Sequence, residues 1–172
     1  MPSRRTVLAV LAAALVLPAA GAPARAAEAD GPQAFLAGIY GRVAKARKAS
    51  TPLPWDRPEG RGTVFSAAVV DLWAKAESKA TADGDIGPVD FDVFTNSQDS
   101  GPIDPKFTVT GEEAATANVR VALRTPKGGG EPKPDDVLVF NLIKGPQGWR
   151  IDDIHGSVSG DRWNLRGLLT LQ

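Results

Sequence analysis

The chain has 172 residues, with one histidine and no cysteine, and its 20 basic residues balance 20 acidic ones. Without cysteine there is no disulfide, no thiolate metal site and no thiol nucleophile. The even charge gives no basic excess to draw a phosphate backbone, so a nucleic-acid partner is not expected.

The length suits a single domain. Arg4 and Arg5 precede an apolar run over 7–17, and a small, turn-prone stretch ends in Ala24-Arg25-Ala26. This is the layout of a secretory signal peptide, with cleavage expected after Ala26. The run is well short of the ~20 residues of a spanning helix. Ser3-Arg4-Arg5-Thr6-Val7-Leu8 resembles the twin-arginine export signal. The expected product is one domain over 27–172, in the periplasm or secreted, with no membrane span after cleavage.

Phe35, Leu36, Ile39, Tyr40 and Val43 recur at three- and four-residue spacing, which predicts an amphipathic helix over 32–49 with Pro32 in its first turn. A proline-rich connector over 51–58 carries Trp55 towards an edge of the core. Phe65, Ala68, Val69, Leu72, Trp73 and Ala76 predict a second helix over 63–81, broken at Asp83-Gly84-Asp85. The irregular stretch 87–104 is anchored by Phe91, Val93 and Phe94. A short strand over 107–110 then leads to a turn at Gly111-Glu112-Glu113.

Next, Ala115, Ala117, Val119, Val121 and Leu123 alternate with Thr116, Asn118, Arg120, Ala122 and Arg124, the period of a half-buried strand. The run 137–143 is apolar on both faces, as in a central strand. After a turn at 145–148, Trp149, Ile151, Asp153 and His155 are expected on one face and Arg150, Asp152 and Ile154 on the other. Asp161 is placed to cap a closing turn or short helix. Two helices followed by an antiparallel meander make an α+β fold. We expect the sheet to curve over the helices into a cone with a pocket at its mouth.

Several segments carry a family likeness: Phe35-Leu36-Ala37-Gly38-Ile39-Tyr40, the run Asp90-Phe91-Asp92-Val93-Phe94-Thr95-Asn96-Ser97-Gln98-Asp99, Gly148-Trp149-Arg150-Ile151-Asp152-Asp153-Ile154, and Leu165-Arg166-Gly167-Leu168-Leu169. Together they resemble the exported bacterial domain-of-unknown-function family 3828. That resemblance implies a nuclear-transport-factor-2-like, or cystatin-like, α+β cone, an exported location and a one-domain protein. It implies no established activity, and the wider superfamily holds isomerases, dehydratases, cyclases and binding modules.

The candidate chemistry is sparse. His155 is the only histidine, the residue type that most naturally serves as a general base, and Asp152 or Asp153 could orient it. An isomerase-like site would need Tyr40 to meet Asp92, Asp99 or Asp153 in an apolar pocket. Asp90, Asp92, Asn96 and Asp99 offer oxygen ligands suited to calcium, but their spacing matches no calcium loop, and such groups also cap their own turns. Arg150 and Asp152, with Arg120 across from them and Asn118 and Asn141 nearby, could recognise a carboxylate-bearing ligand or simply pair with each other. No cofactor motif is present. The leading expectation is a non-catalytic module for a small anionic ligand or a periplasmic protein, as monomer or homodimer. The alternatives are a small cofactor-free hydrolase or isomerase and an inhibitor or immunity-like protein acting through its surface.

Overall fold

Pro32 opens the first helix, α1 (Pro32–Ala49), where its missing N–H costs nothing. The computed structural model describes residues 30–84, 87–98, 103–124 and 130–171. The signal peptide expected over 1–26 therefore lies outside the described residues, as do Asp85 and Asp99. The apolar stripe of α1 faces inward, with Leu36, Ile39, Tyr40 and Val43 buried. Ser50 stops the helix in the left-handed conformation at φ 51°.

The proline connector then folds tightly. A single 3₁₀ turn (Pro54–Asp56) drives Trp55 into the core, and the Asp56 carboxylate accepts the Leu53 N–H at 2.6 Å. Helix α2 (Pro58–Arg61) stacks directly on this turn. A side chain at Gly60 would place its Cβ 1.8 Å from the Pro54 carbonyl oxygen, so only glycine fits.

Helix α3 (Ala67–Asp83) begins four residues later than its periodicity predicts. Residues 62–64 form a turn, and Phe65 and Ser66 are drawn out beside β4 instead. Phe65 bridges Ile151 in parallel; Ser66 N donates to Ile151 O and Ile151 N to Val64 O, both at 2.8 Å. Ser66 then caps the helix, its Oγ accepting the Val69 N–H. Gly84, at φ 76°, ends it as expected.

Five antiparallel strands follow: β1 (Lys106–Glu112), β2 (Thr116–Ala122), β3 (Val137–Gly145), β4 (Gly148–Val158) and β5 (Asp161–Asn164), in spatial order β1-β2-β3-β4-β5. Helix α4 (Leu165–Thr170) closes the chain. β3 is the central strand, as its apolar run implied. β5 was not anticipated, because four residues are too few to display a two-residue period. Asp161 starts that strand; the cap of α4 is Asn164, whose Oδ1 accepts the Gly167 N–H at 2.7 Å.

The expected cone is not formed. The sheet is flat and open, and its edge strands β1 and β5 do not meet. The side that a cone would have kept hollow is filled. Ala117, Val119 and Val121 of β2, Leu138, Phe140 and Leu142 of β3 and Trp149, Ile151 and Ile154 of β4 pack there against α1, Trp55 and Phe94 in one core. With its inner face satisfied across a flat layer, the sheet has no apolar surface left that curvature would bury.

β4 also departs from strict alternation. Its register against β3 passes from Leu142–Ile151 to Asn141–Asp153, so Asp152 is an extra, unmatched residue. This bulge turns Ile154 inward beside Ile151, and both are fully buried. Among the described residues, no helix is long and apolar enough to cross a membrane.

The tight stack of α2 on the 3₁₀ turn is testable. Gly60→Ala must push backbone apart, and we expect it to lower unfolding free energy by about 3 kcal/mol in urea denaturation. Gly62→Ala, a position with open space around it, should change stability little.

Candidate functional site

Among the described residues, no α-helix packs on the outer face of the sheet. There, direct strand partners share a side, so Arg120, Val139, His155 and Asn164 form one row across β2 to β5. Arg162 stands opposite Ser157, two residues along from His155 and on the same side. The segment 132–136 folds over the end of this face. Arg120, His155 and Arg162 thereby line one groove of about 660 Å³, floored by Val137 and Val139 and lipped by Pro132 and Pro134.

The charges in the groove are loosely held. Arg120 reaches Glu131 at 3.7 Å, and the Glu131 side chain is 92% exposed. His155 Nε2 lies 3.5 Å from Asp153 Oδ2. Arg162 has no ion pair among the described residues. The groove offers an anion a guanidinium group from Arg120 and another from Arg162 along an apolar floor.

Asp135 pins the lip in place. It accepts Ser157 Oγ at 2.8 Å and Ser159 N at 3.0 Å. The Ser157 hydrogen bond, helped by backbone donors and Lys133, holds its carboxyl below the usual range. A carboxyl depressed in this way stabilises the fold at neutral pH, and that contribution is lost as pH falls through its folded value.

The other sequence candidates are used elsewhere. Asp92 caps its own turn: Oδ1 accepts Phe94 N at 2.8 Å, and Oδ2 takes Arg47 Nη2 at 2.9 Å. Asn96, at φ 51°, is a clamp. Its Nδ2 donates to Asp135 O and Ser157 O, and its Oδ1 accepts Trp163 Nε1 at 3.0 Å. Asp90 accepts Gln98 Nε2 at 3.3 Å. Asp99 lies outside the described residues. The described residues contain no cluster of three or more acidic or histidine side chains fit for a metal ion.

Arg150 and Asp152 are not partners. Arg150 donates to Gly62 O and Gln147 O, whereas Asp152 at the bulge binds Ser66 Oγ and Arg166 Nη2, each at 2.7 Å. The bulge is the reason, since it breaks the common face assumed for the two residues. Asn118 and Asn141 bond to each other at 2.8 Å, away from the groove. Tyr40 sits in the core on the inner side, its hydroxyl donating to Phe94 O at 2.8 Å. It is therefore on the opposite face of the sheet from His155 and Asp153. Burial, and then the negative charge of Asp92, raise its pKa well above the ordinary tyrosine value.

Sequence reading missed Arg162, Glu131 and Asp135. Arg162 belongs to the unseen strand β5, and the other two belong to a connection rich in glycine, proline and lysine that carries no periodicity. The fold and groove define an α+β protein with an open antiparallel meander and a cationic cleft on its uncovered face. Comparison with protein-family models, curated proteins and solved structures finds no match to this chain.

Two predictions follow from the groups engaged in structure. Asn96→Ala removes three hydrogen bonds and forces a non-glycine, non-asparagine residue into the left-handed region. It should cost about 3 kcal/mol by urea denaturation, and Asn96→Gly, which loses the same hydrogen bonds but accepts the left-handed backbone, should recover about 1 kcal/mol of that loss. Tyr40 stabilises the fold as the neutral phenol, in full below the free tyrosine pKa of about 10. That contribution fades as pH rises through the raised folded value. Tyr40→Phe should therefore cost about 1 kcal/mol at neutral pH and flatten the decline in thermal stability above pH 10.

Proposed function

We propose that this chain is an exported, non-catalytic binding module, and that it takes a small anionic ligand on the open face of the sheet. The observation that carries this reading is the meeting of Arg120, His155 and Arg162 over a floor of Val137 and Val139. Two guanidinium groups suit a carboxylate or phosphate, and the apolar floor suits a short hydrocarbon body. Glu131 acts as a displaceable stand-in for the ligand: it is exposed, distant from Arg120 and tied to nothing else among the described residues.

The hydrolase or isomerase reading needs Tyr40 to meet a free acid or base in one pocket; the sheet separates it from His155 and Asp153, and its neighbour Asp92 is engaged by Phe94 N and Arg47. Ser157, the hydroxyl nearest His155 in the chain that lines the groove, donates to Asp135 instead of to the imidazole.

Calorimetric titration of the purified protein with inorganic phosphate and a panel of mono- and dicarboxylates tests the proposal. Arg120→Gln should weaken the best ligand about tenfold, and Glu131→Gln should strengthen it a few-fold by freeing Arg120. If no anion in the panel binds more tightly to the wild type than to an Arg120→Gln/Arg162→Gln double variant, the anion site does not exist.

A further inference from the structure

A second cavity lies on the helix side of the sheet and shares no lining residue with the groove. It holds about 300 Å³ between the 3₁₀ turn, α3 and the segment 87–94. Trp55, Phe65, Trp73, Phe91 and Phe94 line it. Arg61 stands in its wall with a side chain only 6% exposed. The guanidinium makes two hydrogen bonds to Glu77, at 2.7 and 2.5 Å, and lies over the Trp73 ring, 4.8 Å from its centre. Its Nε has no hydrogen-bond partner among the described residues.

Packing alone does not account for this arrangement. Burying a paired guanidinium in an aromatic setting seldom stabilises a fold more than an apolar residue of similar volume would. An unpaired buried donor is a further cost. The unmet demand, at an Nε with almost no accessible surface beside the cavity, is for an acceptor. The nature of that acceptor follows from the charges around it. Three carboxylates (Asp56, Glu77 and Asp92) line the cavity against the single Arg61, which disfavours an anion. Arg42 and Arg61 already lie over the faces of Trp55 and Trp73, which leaves less for a cation to gain. The volume is at the lower end of small-molecule pockets and suits a one-ring body.

We propose that this cavity binds a small uncharged aromatic molecule bearing a carbonyl oxygen. The ring lies among the aromatic side chains, and the oxygen accepts the Arg61 Nε–H after a slight opening of the cleft.

The test follows the indole N–H signals of Trp55 and Trp73 by heteronuclear NMR while acetophenone, toluene, benzoate or benzamidine is titrated into the whole protein. Acetophenone should shift both signals and bind about tenfold more tightly than toluene. Arg61→Lys, which keeps the charge but lacks the Nε–H, should abolish that tenfold difference. Val89→Phe, at a half-buried position in the lining, should fill the cavity and remove binding of both compounds, so the test holds even if the Arg61 variant fails to fold. Equal affinity for toluene and acetophenone would show a merely apolar hole and overturn the proposal. Tighter binding of benzoate or benzamidine, or no movement of the two indole signals, would do the same.

Discussion

The bulge at Asp152 is the constraint on which the rest of the molecule depends. Ile151 and Ile154 are three residues apart, yet both are fully buried in the same core. A regular strand would send them to opposite faces. The extra residue resolves the conflict, and its carboxylate then has to find partners at the edge of the core. It finds Ser66, the cap of α3, and Arg166, in the first turn of α4. Arg166 also bonds the Asp152 carbonyl through Nε at 2.7 Å, and its own N–H donates to Asp153. One irregularity in β4 therefore fixes where two helices begin. It also restarts the alternation, so that Asp153 and His155 look outward.

The fate of the polar side chains follows from this division of faces. On the inner side and along the segment 90–97, almost every group is committed at short range. Asp92 serves its own turn and Arg47, Asn96 ties three segments together, and Tyr40 holds the Phe94 carbonyl. Groups held in that way are costly to redirect, because releasing one leaves another buried and unsatisfied. In the outer groove the pairings of Arg120 and His155 are long. The Arg120–Glu131 contact at 3.7 Å is the kind of exposed ion pair that contributes little to stability. A ligand can replace such a partner at small cost.

The sequence was legible where a periodic signal was long. Eighteen residues of α1, and β2 with Ala117, Val119 and Val121 inward, stand where their spacing placed them. It was illegible where a tertiary contact overrode local preference. Val64 to Ser66 has the apolar spacing of a helix, but it pairs with Ile151 because the β4 backbone there has donors and acceptors to satisfy. The same holds for Asp152 and Arg150. Their positions look equivalent on paper, and only the bulge, invisible in a pattern of residue types, separates them. The cone failed for a related reason. The order of the two long helices and of strands β1 to β4 was as expected, but curvature depends on how far the inner face is filled, and no count of strands reports that.

Arg61 shows the limit most clearly. In the sequence it is one cation in Glu59-Gly60-Arg61-Gly62, indistinguishable from a solvated turn residue. In the fold, Gly60 lets α2 lie against the 3₁₀ turn, and that close stack carries the arginine inward beneath Trp73 to meet Glu77. The side chain is buried by a contact between backbones, not by any hydrophobic preference of its own. Glu77 is still 37% exposed, so the pair lies where the core meets water, with the charged end anchored and the aromatic walls extending past it. A guanidinium fixed in this way is already ordered before any ligand arrives, and little conformational entropy remains to be lost when an acceptor reaches it.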